Sequence, residues 1–167
     1  MTKEQIQVYT KRITQANTSG LAVILYELTS IYIEEGKTAY KAGRAEEFER
    51  SILQAQSFLQ ELMSMSKMEN QTGYDVMSLY LFINKQLLLS IVKKQPVNLD
   101  ECAGCLNKLR TSFEKLAETD TEEPLMEHVQ QVYAGLTYGR GYLNESVDPA
   151  GDPNRGLKAY GLIQDER

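Results

Sequence analysis

Six apolar residues late in the chain, Leu99, Cys102, Leu106, Leu109, Phe113 and Leu116, recur at steps of three, four, three, four and three. An average step of 3.5 residues keeps all six on one side of an α-helix and scatters them over both faces of a strand. A seam of that kind is buried only against other helices. The segment therefore predicts a helix over 99–117, with Asn98 as N-cap and Glu101 at the third position completing a capping box.

Three earlier stretches supply its partners. Over 18–42, Leu21, Ile24, Leu25, Leu28, Ile31 and Tyr32 fall at helical spacing, and Val23, Tyr26 and Ile33 widen the stripe beyond a single contact. Asn17, Thr18 and Ser19 are cap-type residues before it, and Gly43 is a natural end. Over 45–68, Phe48, Ile52, Ala55, Leu59 and Leu62 repeat steps of four and three, with Phe58, Met63 and Met65 off that seam as filler. Over 73–94 a third stretch runs until Pro96 forbids its continuation. Four such helices joined by short connections imply an all-α, antiparallel up-and-down four-helix bundle over 18–118. Residues 1–17 read as a polar N-terminal arm. Residues 119–167 read as an acidic linker, a short helix over 125–133 and a long irregular tail containing Gly and Pro.

The third stretch contains Tyr74–Val92, YDVMSLYLFINKQLLLSIV, which is apolar at nearly every position of the turn. On a helical wheel Val76, Met77, Tyr80, Leu87, Leu88 and Ile91 form the core side. The opposite side holds Asp75, Ser78, Lys85, Gln86 and Lys93, and in its middle Phe82 and Leu89. Two large apolar groups one heptad apart on a polar face call for an outside partner. Asp75, Asn84, Lys85 and Gln86 break the run below the ~20 apolar residues of a membrane span, so no membrane is expected. Asn84, on the core side, predicts a register-setting hydrogen bond.

A chain of 167 residues fits one domain. Its net charge of −5, pI near 5.0 and dispersed Lys and Arg argue against nucleic acid. Two cysteines and a polar N-terminus suggest a reducing, cytoplasmic setting without a signal peptide. Cys102 and Cys105 form a lone CxxC, but Cys102 lies on the heptad seam, and the single histidine, His128, follows the bundle with no second cysteine pair. No Glu-x-x-His step, phosphate loop or Ser/His/Asp set is present. These readings predict no catalytic residue, no metal and no cofactor; the chain is not expected to be an enzyme.

Four segments in order resemble the flagellin export chaperones, the FliS family, between Tyr9 and Leu116. Tyr9 precedes Thr18-Ser19 as a family Tyr precedes its helix start, and LAVILYELTSIYI over Leu21–Ile33 is similar to the family's LLLMLYDGAIRFL. Ala55-Gln56 with Glu61-Leu62 resembles KAQxIIxEL, Leu79–Ile83 with Leu87 resembles LYDYMxRRL, and Leu109–Phe113 resembles ELRDAW. Leu28, Leu81, Leu89 and Phe113 stand where the family has Gly, Asp, often Glu, and Trp, and the family's Gly-Gly before the third helix is missing. The first three substitutions make the outer surface more apolar.

The resemblance implies a cytoplasmic chaperone that holds the C-terminal helical segment of flagellin along the bundle, prevents premature polymerisation and delivers it to the flagellar export gate. By position it implies that Tyr9 gates the groove, Tyr26 supports it, and Tyr80, Phe82 and Leu89 line or underlie it. A homodimer is compatible with the same apolar faces, and a regulatory or dimerisation module that never meets flagellin is the alternative. Residues 134–167, through Leu136, Tyr138, Tyr142 or Tyr160, are expected to fill the groove until flagellin displaces them.

Overall fold

The computed structural model describes residues 2–125, and these fall into two compact units, one made of residues 2–18 with 122–125 and the other Ser19–Thr121. The expected tail, and all but the first residue of the expected helix over 125–133, lie outside the described residues. All the regular structure described is α-helical: α1 Lys3–Thr14, α2 Thr18–Lys41, α3 Ala45–Met65, α4 Gln71–Lys93 and α5 Leu99–Thr119.

In the first unit the polar arm takes the form of a helix, α1. Thr2 and Gln5 form the capping box that starts it: Thr2 Oγ1 accepts from the Gln5 amide at 3.2 Å, and Gln5 Oε1 accepts from the Thr2 amide at 2.9 Å. Glu4 in the first turn and Lys11 and Arg12 in the last complement the helix dipole. The Leu125 amide donates to the Ala16 carbonyl at 3.0 Å, tying the two chain segments of this unit together.

In the second unit the helices alternate in direction. Tyr32 stacks on Phe58 at 5.7 Å and the tilted rings of Tyr40 and Phe48 lie 5.5 Å apart, so α3 runs back along α2. The Tyr26 and Phe113 rings lie 5.4 Å apart, and Lys37 pairs with Asp100 at 2.5 Å, which makes α5 antiparallel to α2 as well. The turn after α2 closes with Gly43 at φ +73°, its amide on Tyr40 and the Arg44 amide on Ala39, a Schellman arrangement that a side chain would strain.

The core takes Leu25, Tyr26, Leu28 and Ile33 from α2, Phe48, Ile52, Phe58 and Leu59 from α3, Tyr80, Ile83 and Leu87 from α4, and Leu99, Cys102, Leu106 and Leu109 from α5. Phe58, the filler beside the α3 seam, is wholly buried, because α3 faces α2 as well as α4. Two single-residue expectations need correction. Leu116, the last residue of the α5 heptad run, is exposed. Asn98 adopts the left-handed conformation, φ +51°, and makes no side-chain cap; its side-chain Nδ2 donates instead to Gln86 Oε1 at 3.3 Å.

Candidate functional site

The composition of α4 makes it the unusual helix. By length and composition alone it would pass for a membrane span, a test that the core helix of a soluble protein passes too. In the bundle one stripe of it is packed and much of the remainder is exposed. The packed stripe is Tyr80, Ile83, Gln86, Leu87 and Ser90. Gln86, expected in solvent, is buried: its side-chain Oε1 accepts from Asn98 Nδ2 at 3.3 Å, while Ser90 Oγ donates to the Gln86 backbone carbonyl at 2.8 Å and accepts from the Val97 amide at 2.9 Å. These bonds knit the α4–α5 turn, and Leu88, placed in the core by the wheel, is exposed.

The consequence is an outer apolar row. Tyr74 and Leu81 are each 54% exposed, Leu88 45% and Val92 77%. The first three recur every seven residues and Val92 follows one turn later, so the row runs straight along the helix for about 27 Å. Beside it Asn84 Oδ1 accepts from Gln56 Nε2 at 2.9 Å, a bond between α4 and α3. Counting one turn from that bond in antiparallel helices brings Leu53 of α3, 48% exposed, to the level of Leu88. Exposed apolar residues thus stand on both sides of the α3–α4 seam.

Beneath the N-terminal half of the row lies a buried aromatic cluster. The Tyr26 and Tyr80 hydroxyls are hydrogen-bonded to each other across the bundle, their rings 6.2 Å apart, and Phe113 packs on the other side of Tyr26. Burial pushes both phenols above their ordinary range, and the neighbouring Tyr80 adds to the rise at Tyr26. Both are therefore neutral hydrogen-bonding groups that fix the spacing of α2 and α4.

The residues singled out from the sequence fall into three places. Tyr26 and Tyr80 are wholly buried and underlie the surface without forming it. Phe82 and Leu89 are half-buried on the flank of α4, beside the exposed row rather than on it. Tyr9 is half-buried on α1 in the other unit, with the Arg12 guanidinium 5.2 Å from its ring. Sequence reasoning missed Tyr74, Leu81, Leu88 and Val92 as a surface, although the seven-residue repeat of the first three was there to be read.

Cys102 is enclosed on the α5 seam, and burial pushes its thiol up to about 12, so it stays protonated and packs as a small apolar group. Among the described residues no three His, Cys, Asp or Glu side chains gather as a metal set.

The family model described as Flagellar protein FliS matches residues 1–120. No curated protein matches the chain.

Proposed function

This chain belongs to the FliS family, a chaperone family of flagellum biogenesis, and from that premise we propose that it is a cytoplasmic export chaperone for flagellin. It binds the C-terminal segment of flagellin on the outer face of α4 and along the α3–α4 seam, keeps that segment from polymerising and presents it for export. The observation that carries this reading is the exposed row Tyr74, Leu81, Leu88 and Val92 on a helix whose other side is fully engaged in the core. Solitary exposed leucines are ordinary, whereas a straight apolar stripe over five turns is the form an amphipathic client helix recognises. Tyr26 and Tyr80 contribute by holding α4 in place, and Phe82 and Leu89 by widening the flank that the client covers.

The test is isothermal titration calorimetry with a peptide spanning the C-terminal segment of the flagellin encoded in the same genome. Wild type is expected to bind, and Leu81→Asp to lose at least about tenfold in affinity through desolvation of the new carboxylate. No heat of binding to the folded wild-type protein would defeat the proposal.

A further inference from the structure

We infer that the α4 face selects its client by charge as well as by apolar surface: its occupant is an amphipathic helix whose apolar stripe is edged with carboxylates on the side that meets α4. The inference rests on the chaperone reading above. Tyr74, Leu81 and Leu88 repeat at seven, and the half-buried Met77, Asn84 and Ile91 follow each by three, giving the alternation to which a single client helix is complementary.

The charges around this seam are one-sided. From Val76 to Lys94 the chain carries Lys85, Lys93 and Lys94 and no carboxylate, although the protein as a whole has a net charge of −5. All three lysines are exposed, and none is in an ion pair among the described residues. Lys85 lies one turn from both Leu81 and Leu88, at the edge of the row. Asp75, the one carboxylate of α4, precedes this stretch and accepts from Gln71 Nε2 at 2.8 Å. Across the α3–α4 seam, two turns from Gln56 towards the start of α3, Glu49 is exposed, with Arg50 next to it. The uncompensated charge beside the row is thus on α4, at Lys85, and a helix lying on the row is oriented with its acidic edge towards it. In a predominantly acidic protein, this cationic edge also steers an acidic segment to one surface rather than to the whole bundle.

The experiment is titration calorimetry on the full chain with two peptides: the native flagellin C-terminal segment, and the same segment with every Asp and Glu changed to Asn and Gln. Each is measured against wild type and against the triple variant Lys85→Gln/Lys93→Gln/Lys94→Gln. Neutralising either partner is expected to weaken binding roughly fivefold, the sum of a few exposed pairs. The two losses should not add, since each removes the same interaction. Equal affinity of the two peptides for wild type overturns the inference while leaving the chaperone reading intact, and that comparison does not depend on the variant folding. Failure of the native peptide to bind at all defeats both.

Discussion

Helices α2 and α4 are made of similar material and end in opposite situations. From Leu21 to Tyr26 α2 is buried at every residue, and Leu28 and Thr29 follow, so its apolar excess is consumed inside the molecule. In α4 one stripe is consumed, its flanks are half-buried and an apolar row stands in solvent. Hydrophobicity alone therefore does not say which helix is core; the number of neighbours surrounding it does. Substitutions in the two helices should separate accordingly. Leu25→Ala, at a wholly enclosed site in α2, is expected to cost about 2–5 kcal/mol of unfolding free energy, measured by urea denaturation followed by circular dichroism. A loss below about 1 kcal/mol would mean that α2 is not the centre of the bundle.

The start of α4 sharpens the contrast, because its N-terminal end is locked even though its outer face is free. A Cβ at Gly73 would run into the carbonyl oxygen of Lys67, a backbone atom of the α3–α4 connection that cannot swing aside. Gly73→Ala should therefore lower stability by about 1–3 kcal/mol, the usual scale of overpacking. Urea midpoints unchanged from wild type would show that the connection yields instead.

The buried pair that joins the two helices gives a smaller effect with a pH signature. Tyr26→Phe leaves the Tyr80 hydroxyl without its partner across the bundle and should cost about 1–2 kcal/mol at neutral pH. Both phenols titrate higher in the folded state than in the unfolded one, so the stability they contribute is fully present below about pH 10 and lost as pH rises beyond it. Cys102 adds a loss of the same sign between 9.0 and about 12. The double variant Tyr26→Phe/Tyr80→Phe should thus show a shallower alkaline decline than wild type; an identical pH profile from 9 to 12 contradicts the assignment.

The four bundle helices were legible from their 3.5-residue seams, because burial against a few neighbours leaves a periodic trace. What escaped the sequence is instructive. The helical form of the N-terminal arm leaves little periodic trace, since it has few apolar groups, although Thr2 and Gln5 spell its capping box. On α4 the wheel was turned too far towards Leu88 and Ile91, because Gln86 and Ser90 look like surface residues. Their burial depends on hydrogen bonds to Val97 and Asn98, which lie beyond the helix and in a turn whose left-handed Asn98 no periodicity predicts. That rotation is why the exposed row became Tyr74, Leu81 and Leu88, and why Phe82 and Leu89 sit on its flank. The buried Tyr26–Tyr80 bond was equally hidden, as it joins residues 54 apart in the sequence.

The smallest expected effect on stability is the one that most directly tests the difference between the helices. Leu88 is 45% exposed, so Leu88→Gln removes little buried surface and keeps a good helix former in place. Its unfolding free energy should remain within about 0.5 kcal/mol of wild type, as for other surface changes. Its affinity for the flagellin peptide should nevertheless fall about tenfold, because in the complex the same position is enclosed and the amide must give up water without a partner. If Leu88→Gln instead unfolds the protein as readily as Leu25→Ala, the outer face of α4 is part of the fold and not a docking surface. If it changes neither stability nor affinity, the client lies elsewhere on the bundle. Only stability retained with affinity lost is consistent with a helix that has one face for its own core and one for another protein.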